Sequence, residues 1–357
     1  MSNPLQSQSL SPWNAYPDDY RAAEVTRLLA AVRAGECAAV LGLSGAGKSN
    51  LMGFLAHRAP ADAPHLCWID GNRLVDVSAK GLLHLLAESL LPEDAAPPQT
   101  WRDLMRALVP RMAAAPHGLC LLIDRFDALG AAASPLRALR DAFKYQLTFI
   151  IATRRPPEEH SEIAELFYAN SLWLGPLSES NALWSAAQYA ARRGVAWDAA
   201  TLAGLYRVSW GYPSFLRGAC EACAQGIPPE DARLFGHSAI QRRLDEFWAD
   251  APSAEQLRLS GLAGHPWLTS PQRPIADLTA KEQALLTYLQ AHAGQICEKQ
   301  AIIAAVWQED KAYIEGIRDD SLAQLIRRLR TKIEPDPSNP IYLHTVAGRG
   351  YRWEQTT

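Results

Sequence analysis

The chain has 357 residues, 48% of them hydrophobic and 20% charged, which is apolar content for folded domains and length for two or three of them. Its 35 Lys and Arg nearly balance 38 Asp and Glu, so no chain-wide field draws it to nucleic acid or an acidic membrane, and any such affinity has to come from a local patch. Six scattered cysteines suit reduced thiols, the start has no basic-then-apolar leader, and no apolar run reaches the roughly 18 residues of a span; a cytoplasmic protein without membrane association is expected.

The strongest local signal begins at Cys37, where the apolar run Ala38 to Leu41 enters Gly42-Leu-Ser44-Gly45-Ala46-Gly47-Lys48-Ser49-Asn50. This is the complete P-loop pattern, preceded by a strand and followed by Leu51, Phe54 and Leu55 at helical spacing. Glycines let the backbone wrap with its N–H groups inward, and the loop with the following helix N-terminus then binds phosphate. The spacing predicts Gly42, Ser44, Gly45, Ala46, Gly47, Lys48, Ser49 and Asn50 as the cradle for ATP or ADP, with Lys48 on the β and γ phosphates and the Ser49 hydroxyl on Mg²⁺.

About 75 residues after Lys48, Gly118-Leu-Cys-Leu-Leu-Ile-Asp124 reads as a buried parallel strand ending in a carboxylate, the form of a Walker B strand, with Asp124 holding the magnesium shell at the carboxyl edge. The position after it, where many P-loop hydrolases keep a water-polarising Glu, is Arg125, so at most a slow ATPase activity, secondary to switching, is expected. Asp127 is the nearest alternative base and serves equally as a cap for the next helix. A third run, Leu147 to Thr153, ends in Arg154-Arg155; Arg154 fits a γ-phosphate sensor, though strand-end arginines also serve solubility alone. Leu66 to Asp70 adds one more strand, giving a β-α alternation and a parallel sheet covered by helices. Cys220-x-x-Cys223 reads as two small residues on adjacent helix turns, since no second pair at metal-ligand spacing accompanies it.

Asp124-Arg-Phe-Asp127, Ala152-Thr-Arg-Arg155 and Leu174-Gly-Pro-Leu177, beside the P-loop, resemble the STAND and Orc-like, AAA-related branch of P-loop ATPases across roughly residues 15 to 250. The resemblance implies a helical lid, for which residues 183 to 216 have the periodicity. Within it Gly211-Tyr-Pro-Ser-Phe-Leu-Arg217 is similar to the Gly-x-Pro element and second sensor, which implies Pro213 near the base and Arg217 near the phosphates. Tyr16-Pro17-Asp-Asp-Tyr20-Arg21 with Glu24 is similar to the segment that lines the adenine in these ATPases, and reads equally well as a surface turn.

The stretch from Ala249 to Arg273 reads as the lid's end and a linker. Thr279-x-x-Glu282 is a capping box opening a helix with Leu285, Leu286 and Leu289 on one face; a second helix runs from about Lys299 to Trp307. A third begins near Asp319 and buries Leu322, Leu325, Ile326, Leu329 and Ile333, leaving Gln324, Arg327, Arg328, Thr331 and much of Arg330 and Lys332 outside. Residues 341 to 353 form a hairpin around Gly348-Arg349-Gly350. From Arg318 to Arg352 seven Lys or Arg face four acids, a local excess in a nearly neutral chain and the best candidate for a phosphate footprint.

Leu278-Thr-x-x-Glu282, Val306-Trp307, Ile326-Arg-Arg-Leu-Arg330, Glu334-Pro-Asp-Pro337 and Thr345-Val-x-Gly-Arg-Gly-Tyr-Arg352 together resemble the OmpR/PhoB-type winged-helix domain. The resemblance implies double-stranded DNA as partner, met by Arg327, Arg328, Thr345, Arg349 and Arg352, with Gln324 and Thr331 on the same helix face. Asp319 and Asp320, and Gln324-Leu325 in place of the usual Val-His, leave base specificity open.

The expected fold class is therefore α/β, a P-loop NTPase parallel sheet with a helical lid, followed by an α+β winged helix-turn-helix domain. Its boundaries are 1–175 for the ATPase core, 176–250 for the lid, 251–275 for the lid end and linker, and 276–357 for the winged helix. The expected function is an ATP-dependent signal-transduction switch that binds DNA, a transcriptional regulator with a nucleotide-dependent homo-oligomer. The alternatives are a sensor or defence ATPase whose winged helix meets a protein partner or nucleic acid of any sequence, and a motor or loader ATPase, against which Arg125 speaks.

Overall fold

The computed structural model describes residues 12–74, 76–157, 161–269, 279–307, 319–334, 337, 340–346 and 348–354. Contacts divide the chain into two compact units, Met1–Arg243 with Leu259–Gly261, and Leu244–Arg258 with Leu262–Thr357.

The first unit runs α1 (Ala22–Arg33), β1 (Ala38–Leu41), α2 (Lys48–Arg58), β2 (His65–Ile69), α3 (Ala79–Leu90), α4 (Trp101–Ala113), β3 (Leu119–Ile123), α5 (Pro135–Phe143), β4 (Leu147–Thr153) and β5 (Ser171–Trp173). The strands form one parallel sheet in the order β2-β3-β4-β1-β5. Every residue of β1, β3 and β4 is buried, which is why these segments read as unbroken apolar runs rather than alternating ones. One face of the sheet packs through Leu121, Ile123, Phe149 and Ile151 on Leu82 and Leu86 of α3, Leu104 and Leu108 of α4, and Leu136 and Leu139 of α5. Helix starts follow local chemistry: Ser78 caps α3, and Thr100 with Asp103 forms a capping box on α4. The stretch expected to be the lid, 176–250, opens with a trio of helices, α6 (Glu179–Arg193), α7 (Ala199–Ser209) and α8 (Pro213–Ala224). Gly194 in the left-handed region ends α6, Asp198 caps α7, and Pro213 takes the first position of α8, where its missing N–H costs nothing. Helix α9 (Ser238–Trp248) follows.

The stretch expected to be a lid end and linker holds two short helices, α10 (Ala254–Leu259) and α11 (Pro266–Thr269), with Leu262, Trp267 and Leu268 buried. The signal for the first is a reciprocal cap: the Gln256 N–H donates to Ser253 Oγ and the Ser253 N–H to Gln256 Oε1. The second unit continues with α12 (Ala280–Ala291), β6 (Ile296–Cys297), α13 (Lys299–Val306), α14 (Asp319–Ile333), β7 (Leu343–Val346) and β8 (Gly350–Trp353). Its sheet is antiparallel in the order β6-β8-β7, so the expected hairpin gains a third strand. Beneath it Leu285, Leu289, Ile302, Leu322, Leu329, Leu343 and Trp353 make one core. Gly350 has φ 144°, and a Cβ there would lie 2.1 Å from the Cys297 carbonyl oxygen, so the β6–β8 pairing requires glycine. Among the described residues no helix is long and apolar enough to cross a membrane.

Candidate nucleotide site and nucleic-acid face

The loop from Gly42 to Gly47 joins the carboxyl end of β1 to α2, and the Gly42 N–H donates to Thr153 O, fixing the loop beside the end of β4. Gly45 and Gly47 have φ of 81° and 88°, which L-residues rarely adopt. A Cβ on Gly45 would also lie 2.2 Å from that of Ser214. Lys48 folds back over the loop, its Nζ donating to Gly42 O at 2.6 Å and Leu43 O at 3.2 Å. Ser49 and Asn50 are exposed on the first turn of α2, Ser44 is half-buried and Ala46 fully buried.

Because β4 lies between β1 and β3, the residues after all three strands share one carboxyl edge with the loop. Asp124 is buried; its Oδ1 accepts from the Arg125 N–H at 2.9 Å, and its Oδ2 is buried with no hydrogen-bond partner among the described residues. An unmet buried acceptor costs on the order of 1–3 kcal/mol, and a divalent cation at this edge would satisfy it. Arg125 turns away, donating to Asn72 Oδ1 at 2.6 Å. Asp127 and Arg154 are brought together: Nε and Nη2 of Arg154 both reach Asp127 Oδ2, at 2.8 and 2.7 Å.

The lid closes on the carbonyl side of the loop. Tyr212, wholly buried, donates its hydroxyl to Ser44 O at 2.7 Å, and the Ser214 N–H donates to Gly45 O at 3.1 Å. Pro213 packs its ring 3.5 Å from the position a Cβ on Gly47 would take. Arg217 packs its guanidinium 5.5 Å from the centroid of the Tyr189 ring in α6. Arg21 touches the loop, its Nη2 donating to Ala46 O and Gly175 O, each at 2.9 Å. Arg21 is buried in a left-handed conformation, with its backbone N–H on Asn181 Oδ1. Sequence reasoning found the motifs holding Arg21, Tyr212 and Ser214 but not these contacts.

Tyr16 and Tyr20 belong to an aromatic cluster beside α2: their rings lie 4.8 Å apart edge-on, Tyr16 is 4.6 Å from Trp184, and Tyr20 is 5.2 Å from Phe54. Burial, reinforced by Tyr20, pushes the Tyr16 phenol up to about 12.

In the second unit Gln324, Arg327, Arg328 and Thr331 are all exposed along one side of α14, and Arg349 is exposed at the hairpin tip. The other described members of the expected cationic footprint are engaged within the fold. Arg330 donates through Nε and Nη2 to Leu343 O and through Nη2 to Thr345 Oγ1. Lys332 donates to the buried Glu282 at 2.7 Å, and Arg352 pairs with Glu354. Burial would raise the Glu282 carboxyl, but hydrogen bonds from Lys332 and from the backbone and hydroxyl of Thr279 outweigh it and hold the group below its usual range. Glu334, buried at the end of α14, accepts from the N–H groups of Ile341, Tyr342 and Leu343 and so sets where β7 begins. Thr345 is exposed, while Arg318, Leu278, Pro335 and Asp336 lie outside the described residues.

Residues 272–353 match the family model described as "Transcriptional regulatory protein, C terminal". The C-terminal unit carries a winged helix of the OmpR/PhoB type. Protein PetR of Rhodobacter capsulatus is 40% identical over 118 residues, 32% of this chain and 48% of PetR, so the chain spans about half the length of that curated relative. Among solved structures, the Walker-type ATPase of Pyrococcus abyssi aligns over 93% of this chain and 92% of its own, at TM-score 0.47 and 13% identity. The ORC2 protein of Aeropyrum pernix, solved in ADPNP-ADP complexes, aligns over 93% and 87% at TM-score 0.46 and 12% identity. Ahead of the winged helix, the P-loop and its parallel sheet give the first unit a P-loop NTPase fold.

Proposed function

We propose that this protein is a DNA-binding transcriptional regulator whose activity is set by ATP or ADP, with Mg²⁺, at the P-loop. The observation that carries the reading is the bonding of Tyr212 and Ser214 to the carbonyls of Ser44 and Gly45, because peptides whose N–H groups turn to a phosphate have their carbonyls on the lid. When bound, magnesium–ATP supplies concentrated negative charge at the carboxyl edge of the sheet. The amides of residues 44, 45 and 47–49 and the Lys48 ammonium would hold the phosphates, Ser49 and Asp124 would hold the magnesium, and Pro213 would flank the base. Asp124 Oδ2, buried and unpartnered, supports the cation. Arg125 in place of a water-polarising acid supports a slow ATPase in which turnover resets the switch.

Gln324, Arg327, Arg328 and Thr331 would face the major groove of duplex DNA, with Arg349 and Thr345 on the neighbouring backbone. The nucleotide would bias the DNA-competent state, through a homo-oligomer, by a coupling of about 1–3 kcal/mol, or some 5- to 150-fold in affinity. The test is the affinity of the intact protein for a selected DNA sequence with ATP, ADP and neither. Affinities that differ support the switch; three equal affinities remove it.

A further inference from the structure

We propose that Asp127 competes with the terminal phosphate of ATP for Arg154, so that this carboxylate sets how strongly the site prefers ATP over ADP. The inference rests on the reading of the P-loop as a nucleotide site. Arg154 directly follows β4, whose last carbonyl, Thr153 O, is bonded to the first loop residue, Gly42. The arginine therefore stands at the loop's own edge of the sheet. There its Nε and Nη2 converge on a single oxygen of Asp127, at 2.8 and 2.7 Å. A guanidinium presents paired donors in a fixed fork, and those donors suit a phosphate as well as they suit a carboxylate. The Nε–Nη2 edge spent on Asp127 is not available to another anion at the same time, so a phosphate that takes this edge competes with the carboxylate. The ion pair is also breakable, since the Arg154 and Asp127 side chains are 45% and 21% exposed. A pair this exposed is worth up to about a fivefold change in an equilibrium.

Asp127 is then a positioning residue acting through Arg154, and replacing it has the opposite effect to replacing a general base. A base replaced by its amide slows hydrolysis and leaves binding alone, whereas removing a competitor tightens binding. The experiment is titration calorimetry of the full chain with magnesium–ATP and with magnesium–ADP, on wild type, Asp127→Asn, Arg154→Gln and the double variant. Circular dichroism checks that each is folded. The expected result is that Asp127→Asn binds ATP about three- to fivefold more tightly, leaves ADP affinity unchanged, and loses this gain when Arg154 is Gln. Unchanged or weakened ATP binding in Asp127→Asn overturns the proposal, as does an equal gain for ATP and ADP or a gain that survives in Arg154→Gln. Absence of nucleotide binding by the wild type would instead remove the P-loop reading on which the proposal stands.

Discussion

Replacing Glu334 by Gln tests whether the end of α14 dictates the geometry of the wing. The carboxylate accepts from Ile341 at 2.8 Å, from Tyr342 at 3.1 Å to each oxygen, and from Leu343 at 2.7 Å, in a site where Glu334 is only 5% exposed. A glutamine keeps one carbonyl oxygen and turns an NH₂ group toward backbone donors, so at least one of these amides loses its acceptor while buried. Hydrogen bonds to a charged group contribute about 1.5–3 kcal/mol each, and an unmet buried donor costs about 1–3 kcal/mol, so the change should destabilise the C-terminal unit by roughly 2–4 kcal/mol. Urea unfolding of the full chain, followed by the tryptophan fluorescence of a variant that keeps Trp307 and Trp353 but has Phe at the other tryptophans, reports that unit. Glu354→Gln, at a carboxylate 42% exposed, provides the control, with an expected change within about 0.5 kcal/mol. Glu334→Gln should also weaken DNA binding, because β7 brings Thr345 to the surface and pairs with the strand after Arg349. A loss below about 1 kcal/mol for Glu334→Gln, or a loss matched by the control, would refute the assignment of the turn to this carboxylate.

Tyr212→Phe removes one hydroxyl and leaves Ser44 O without its lid partner. Magnesium–ATP should then bind about three- to tenfold more weakly by calorimetry, while DNA affinity without nucleotide is unchanged. Glu282, held below its ordinary 4.5, contributes stability that is fully present above that value and is lost as pH falls through the lowered folded value. Thermal melts should thus show the C-terminal unit weakening below about pH 4.5, with a smaller loss in Lys332→Met. Arg327→Ala with Arg328→Ala should reduce the slope of log DNA affinity against log salt by about 2, as titrations from low to physiological salt would show.

Much of this architecture is legible because burial on both faces writes β1, β3 and β4 as continuous apolar runs, and because a phosphate cradle demands glycine at fixed offsets. The strands that escaped notice are those without such a demand: β5 has three residues, beginning with Ser171, and β6 has two. Neither is long enough to show a period. Contacts across the chain escaped for a related reason. Tyr212 and Ser44 are separated by 168 positions, and nothing local to Gly211-Tyr-Pro says which loop the hydroxyl will meet.

The basic face of α14 shows how helical phase and side-chain reach differ. Phase correctly separates the buried stripe from Gln324, Arg327, Arg328 and Thr331. It cannot place Arg330 and Lys332, which sit at the boundary of the stripe and have flexible stems long enough to reach acceptors on other elements, Leu343 O and Glu282. Together with Arg352 on Glu354, that leaves Arg327, Arg328 and Arg349 as the outward cations among the described residues of this region. Three such charges give a modest electrostatic hold, so on the proposed reading discrimination between DNA sequences would rest on the exposed face of Gln324, Arg327, Arg328 and Thr331 and on how firmly Glu334 and Arg330 fix the wing.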